Sequence, residues 1–348
     1  MNLADVELFL IELAATGGPV RSLIVRLATD AGLEGWGETR FAGSVENVAS
    51  LRRALSAVLA GRSAFDVEAI LALDVVSTPA VACGVEMALW DLIARDAGQP
   101  LCHLWGGCYR DRVPVSVRLP DGSPSAVADC ARAFATQAIG SQTVTSTGNC
   151  DDDVLLTVAV RDACGARTVL RFDGQRNYDL RTAGRLCVGL EPLSMQFLLD
   201  PLAERAAELL GALRARAAMP VAVMQSVAGP ADVMRVARTE AASFVIVDPV
   251  RVGGLLRARQ CAVVAEAAGL AASLSIEGTS GLALAATLQL AAATPSFTSG
   301  HECAYPKLHD DILSERLPMV DGMLAVPTAP GLGVEVDRDK LDRRQLVG

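Results

Sequence analysis

The spacing of apolar positions changes near residue 113, and the change divides the chain. Before it, apolar and polar residues alternate over Asp5–Leu13, Arg21–Thr29 and Glu34–Thr39, with a turn at Asp30-Ala31-Gly32. A period of two puts alternate side chains on one face, so this opening reads as an antiparallel meander. Helical spacing follows over Ser44–Gly61, Val67–Leu73 and Val81–Ala97. In the last of these, Val81, Val85, Ala88, Leu89 and Leu92 share a face and Gly98 stops the helix.

From Val113 onward, short apolar strands alternate with Ala-rich helices. The strands are expected at Val113–Arg118, Gln142–Thr147, Thr168–Asp173, Phe197–Asp200, Val221–Met224, Phe244–Val247, Ala271–Ile276 and Phe297–His301. Helices such as Ser125–Ile139, Asp152–Cys164 and Gly281–Ala293 lie between them. Eight such alternations predict a parallel barrel rather than a sandwich. The fold class is therefore α/β, a modified TIM (β/α) barrel over residues 113–322 behind an α+β domain over 1–112. The tail, 323–348, reads as extended, Pro/Gly-rich and then polar.

Composition narrows the function. A hydrophobic share of 51% with 20% charged residues supports a large core and argues against disorder. A net charge of −9 without a basic cluster excludes a general nucleic-acid or anionic-membrane binder. The opening segment lacks a basic n-region, and Asp5, Glu7 and Glu12 interrupt its apolar stretch, so it reads as a strand rather than a secretory signal. No apolar run reaches the roughly 20 residues of a membrane span, and a soluble, cytoplasmic protein is expected. Nine scattered cysteines without CxxC pairs or a His-rich partner run read as reduced, mostly buried thiols. Of 31 basic residues only Lys307 and Lys340 are lysines, so Met1–Pro306 contains none.

Four segments in order carry a family resemblance over nearly the whole chain. They are Arg26–Asp30 with Gly35-Trp36-Gly37-Glu38-Thr39, Val85–Leu92 with Gln99-Pro100-Leu101 and Leu104-Trp105-Gly106-Gly107, Asp248–Gly254, and Pro330–Asp337. Together they resemble the mandelate racemase/muconate lactonizing enzyme group of the enolase superfamily, and Ser273–Gly281 resembles the lactonizing branch. The resemblance implies a capping domain built from both chain ends over the barrel mouth. It also implies Mg²⁺-assisted proton abstraction beside a carboxylate, with a Lys or His as base. Removing so weakly acidic a proton requires a cation at the developing dianion.

Matched position by position, most of that machinery is missing. Asp173 stands at the third-strand ligand position, but Leu199 and Met224 occupy the fourth and fifth, and neither can ligate Mg²⁺. Asp200, next to Leu199, should face away from the barrel axis. Thr145 and Thr147 replace the second-strand Lys-x-Lys, and Asp248 replaces the sixth-strand lysine. No cofactor is therefore expected. Asp248 and His301 form the candidate catalytic pair, since a His beside a carboxylate can act as a base near neutral pH. Arg40, Arg171 and Glu277 are the candidate substrate-binding residues, and Glu302 completes the polar residues of the mouth. His103 and His309 read as surface or packing residues. Thr16-Gly17-Gly18-Pro19 and Arg40-Phe41-Ala42-Gly43 resemble the two loops that select substrate.

The reading that follows is a member degraded in the usual chemistry, with a ligand-binding or assembly role. Its partners would be a small carboxylate or amino acid and further copies of itself as a homo-oligomer. The alternative is an active metal-independent racemase/epimerase, dehydratase or cycloisomerase on an α-substituted carboxylate or amino acid.

Overall fold

In the computed structural model, which describes residues 1–203 and 207–346, the N-terminal strands pair as their alternation requires. β1 (Leu3–Leu13), β2 (Val20–Thr29) and β3 (Glu34–Arg40) form an antiparallel meander. Leu8, Leu10, Leu23, Val25 and Leu27 line one face and pack with Val81, Val85, Ala88, Leu89 and Leu92 of helix Pro79–Asp96. The approach is close enough that a Cβ at Gly37 would lie 2.0 Å from the Gly84 carbonyl oxygen. Any side chain there would force sheet and helix apart.

Eight parallel strands follow: β4 (Arg112–Arg118), β5 (Ser141–Thr145), β6 (Val169–Asp173), β7 (Met195–Leu199), β8 (Val221–Val223), β9 (Phe244–Val247), β10 (Ala271–Ile276) and β11 (His301–Cys303). They pair in chain order, and β11 closes onto β4 through His301–Val115 and Glu302–Ser116. The result is a closed barrel under an α+β cap. Helices between the strands start on local caps: Asn149 accepts from the amides of Asp151 and Asp152, and Asp179 from that of Thr182.

The tail is more structured than its sequence suggested. β12 (Met319–Val320) and β13 (Met323–Ala325) form a hairpin, and β13 runs antiparallel to β4. The boundary expected after Gly322 falls in the turn of this hairpin. Beyond it, Gly331 exchanges backbone hydrogen bonds with Gln99 and Leu101. Asp91 accepts from the amides of Trp36 at 2.9 Å and Leu332 at 2.7 Å, tying the capping sheet to the tail. Asp337 accepts from the Lys340 amide and so caps a helix, Arg338–Arg344, where extended chain was expected. Arg338 lies 4.5 Å over the Trp36 ring.

Strand ends fall within two residues of expectation except at β11, placed by its sequence at Phe297–His301. Phe297 makes only an isolated bridge to Ala272, and Gly300 passes against the Val115 carbonyl, so the ladder starts at His301. All nine cysteines are free thiols, six of them buried. Among the described residues, no helix is long and apolar enough to cross a membrane.

Candidate functional site

Because strand side chains alternate, each barrel strand sends every second residue inward. The outward set, including Val115, Val117, Val144, Phe172, Leu198, Val245 and Leu274, packs under the helices in the main core. The inward set is split. On β7, β8 and β9 it is apolar: Phe197, Leu199, Ala222, Phe244 and Ile246 form a separate buried cluster, with Met224 packed against it. On β10, β11, β4, β5 and β6 it is polar and charged.

The split bears directly on the metal-ligand positions. Leu199 is fully buried in the apolar cluster and Met224 lies beside it, so two of the three ligand positions face the axis with hydrocarbon or thioether. Asp173 faces inward as expected, but its carboxylate is already engaged. It pairs with the Arg118 guanidinium at 2.7 Å and accepts from the Gln175 backbone and side-chain nitrogens. Asp200 points elsewhere, accepting from the amides of Met224 and Gln225 at the end of β8. Burial raises its pKa to about 6, despite those amides. The residues present do not fit the Mg²⁺ that the resemblance implies.

Arg118, the last residue of β4, organises the polar wall. It pairs with Asp173 and, at 2.8 Å, with Glu302, and donates to the Thr145 hydroxyl at 3.2 Å. Burial disfavours its charge, but Glu302 and Asp173 outweigh burial and raise its pKa. Glu302, fixed also by the Thr143 hydroxyl at 2.5 Å, is held below the ordinary carboxylate range. There burial, the largest influence, acts upward but is overcome by Arg118, the Thr143 hydroxyl and Arg171.

A second cation enters from beyond β11. Lys307, in a single turn Tyr305–Lys307, places Nζ 2.9 Å from Glu277 Oε2 at the end of β10. Burial raises the Glu277 pKa while Lys307 opposes it, and Glu277 Oε1 has no hydrogen-bond partner among the described residues. Arg118, Thr145, Thr147, Glu277 and Lys307 line a cavity of about 840 Å³, roofed by the capping loop Thr16–Pro19. Thr147 is held through its amide by Asp153, at 2.7 Å.

The structure does not bring Asp248 and His301 together. Asp248 faces inward and caps its own helical turn through the amides of Val250 and Arg251, and it pairs with Arg40. His301, one residue out of phase with inward Glu302, points out of the barrel. Its Nδ1 accepts from the Leu274 amide and its ring packs edge-on against Phe297. Burial lowers its pKa to about 3, with Arg110 and Arg171 acting in the same direction. It is neutral near pH 7 and a poor proton acceptor.

Arg40 reaches from β3 into the barrel rim, where Asp248 and the Glu277 carbonyl at 2.7 Å occupy its guanidinium. Arg171 lies one layer below Asp173, donating to Gln196 Oε1 and the Gly300 carbonyl and stacked over Phe197 at 5.1 Å. Burial lowers its pKa to about 10. Of the residues expected at the mouth, Glu277, Thr145 and Thr147 line the cavity. Arg118 and Lys307 were missed by sequence reasoning. The parity of Ser116 and Arg118 against Val113, Val115 and Val117 was a usable signal for the first, and the rarity of lysine for the second.

Comparison with known proteins agrees with this architecture. Residues 12–106 match the mandelate racemase/muconate lactonizing enzyme N-terminal domain, and residues 125–340 the enolase C-terminal domain-like family. Muconate cycloisomerase 1 of Rhodococcus opacus is 29% identical over 334 residues, covering 91% of this chain and 89% of its own. An N-succinyl-L-Arg/Lys racemase of Bacillus cereus is 23% identical over 333 residues, covering 92% and 89%. The crystal structure of an isomerase from Streptomyces coelicolor A3(2) superposes with a TM-score of 0.87 at 28% identity, covering 99% of this chain and 96% of that one.

Proposed function

The chain belongs to the mandelate racemase/muconate lactonizing enzyme group of the enolase superfamily, and from that premise we propose that it binds a small carboxylate at the barrel mouth without the Mg²⁺-assisted proton abstraction of the group. The observation that carries this reading is the state of the ligand positions. Leu199 and Met224 belong to an apolar wall, and Asp173 is neutralised by Arg118. A lone, already paired carboxylate competes poorly with the hydration shell of Mg²⁺. The same guanidinium supplies what an anion needs. Arg118 and Lys307 keep donors to spare beyond their bonds to Asp173, Glu302 and Glu277, since a guanidinium carries five N–H groups and an ammonium three.

The test is a ligand-observed NMR panel of α-hydroxy, α-amino and α-oxo acids, run with EDTA and again with MgCl₂. Saturable binding that is equal in both, weakened by Lys307→Met, is the expected result. α-Proton exchange in D₂O that requires Mg²⁺ would overturn it.

A second reading, a metal-independent isomerase or lyase, is favoured by the Lys307–Glu277 pair. An amine beside a desolvated carboxylate is equipped to move protons. Exchange at the α-carbon in EDTA, lost in Lys307→Met, would place that reading first.

A further inference from the structure

We propose that Lys307 is an imine-forming nucleophile, and that the carboxylates this cavity takes are those with an adjacent carbonyl group, the 2-oxo acids. The inference rests on the ligand-binding reading above and names its substrate class.

The first ground is residue usage. Among the described residues, arginine makes nearly every ion pair, including those of Asp173, Glu302, Asp248 and Asp91. Against that background a lysine stands at the cavity wall. Arginine would serve a purely ionic role as well or better, because it stays charged and forks onto carboxylates. Only lysine can become a neutral amine and attack a carbonyl.

The second ground is placement. The Lys307 side chain is 12% exposed, Nζ sits 2.9 Å from Glu277 Oε2, and both residues line the cavity. Glu277 is pushed toward the protonated form by burial, and its Oε1 lacks a partner among the described residues. It is therefore suited to take a proton from the ammonium and return it later. Arg118, on the same polar wall, offers the fixed cation that a 2-oxo acid's carboxylate requires.

The third ground is electronic. Carbanion chemistry beside a carboxylate needs a cation to accept the electron pair, and the inward residues here do not fit the metal that would supply one. An iminium is such a cation, formed by the chain's own amine.

The steps balance. Glu277 takes one proton from the Lys307 ammonium. The free amine attacks the C2 carbonyl carbon: the C–N bond forms and the C=O π pair moves to oxygen, which takes a proton from nitrogen to give a carbinolamine. Glu277 returns its proton to the departing hydroxyl, the C–O bond breaks, and water leaves. The iminium and the Glu277 carboxylate remain, with the overall charge unchanged.

The experiment is reductive trapping of the full-length protein with pyruvate and sodium cyanoborohydride, followed by peptide mapping. Lys340, in the tail, is the internal control, its ammonium donating to the carbonyls of Leu313 and Ser314. We expect one reduced pyruvyl group per chain at Lys307, formed at least roughly tenfold faster than at Lys340 through local capture of the carboxylate. L-lactate, which has the carboxylate but no carbonyl, should slow trapping by competition. Lys307→Arg should abolish it while preserving the ion pair and thermal stability, and Glu277→Gln should slow it. Lactate and pyruvate binding by NMR without trapping at Lys307 would overturn the imine and leave the ligand-binding reading standing. Absence of both binding and trapping would overturn both. Equal labelling of Lys307, Lys340 and the amino terminus would mark ordinary amine reactivity and overturn the imine.

Discussion

Replacing Arg118 with methionine keeps much of the side-chain volume and removes the cation. The Asp173 and Glu302 side chains are only 1% and 4% exposed and both lean on this guanidinium, itself 18% exposed. Breaking a buried ion pair by deleting one member costs about 3–5 kcal/mol, because the orphaned charge stays desolvated. Taking about 4 kcal/mol, and about 2–4 °C per kcal/mol for a domain of this size, the melting temperature should fall by roughly 8–16 °C near pH 7.5. The pH dependence identifies the cause. In the parent protein the Glu302 pKa is lowered, so its contribution is present above the unfolded pKa and lost as pH falls through the folded one. Without Arg118, the strongest opposing influence, burial is met only by the Thr143 hydroxyl and Arg171, and the folded pKa of Glu302 rises. A raised folded pKa reverses the sign, so stability is then greatest at low pH and lost as pH rises. The deficit of Arg118→Met should therefore shrink between pH 7.5 and pH 5, measured by thermal unfolding monitored by circular dichroism. An equal deficit at both pH values would show that Arg118 acts through packing, and the account of the polar wall would fall.

Leu199→Glu places an unpaired carboxylate among Phe197, Ala222, Phe244 and Ile246, and should destabilise the chain by several kcal/mol in denaturant titrations. Adding Met224→Asp should make the double variant respond to MgCl₂. Millimolar MgCl₂ should shift the parent's melting temperature by no more than it shifts that of Asp173→Asn, and a saturable shift lost in that variant would contradict the site description. Glu86, buried between the cap and the barrel, has its pKa raised to about 7 by burial, although the amides of Leu255 and Leu256 oppose it. A raised carboxyl contributes stability below its unfolded pKa that is lost as pH rises through about 7. Glu86→Gln should thus flatten the stability profile between pH 5 and pH 8.

Much of the barrel was legible because strand periodicity is a local signal. The inward or outward fate of Asp173, Leu199 and Asp248 followed from strands placed to within two residues. β11 shows the limit: starting the strand at Phe297 made His301 a strand-end residue, whereas the ladder begins there and Glu302 takes the inward place. One residue of register exchanged an imidazole for a carboxylate at the site. Arg118 escaped notice because a charged residue at a strand end looks like a solvated one until its partners, 55 and 184 residues away, are in place. Lys307 escaped because the lysines that the resemblance implies lie on the second and sixth barrel strands, well before it in the chain. The amine arrives instead on the turn after β11.

The bonds between cap and barrel constrain how a ligand can come and go. Glu38 on β3 accepts from the Ser280 amide and hydroxyl and from the Ala283 amide at the start of a barrel helix. Arg40 spans to Asp248 and Glu277, and Asp91 holds the tail against the same sheet. Swinging the cap off the barrel would strand all of these groups together, at a cost beyond routine thermal motion. The roof is pinned as well, since Thr16 donates its amide to the Lys307 carbonyl at 2.9 Å and meets His309 through its hydroxyl. The tip is held only within the loop, where the Gly18 amide donates to the Ala15 carbonyl at 3.2 Å, and Gly17 and Gly18 both take positive φ. With the cap tied down at so many points, any ligand that the mouth admits would need only local adjustment of this loop, on the nanosecond-to-microsecond scale of loop motion, and not domain opening.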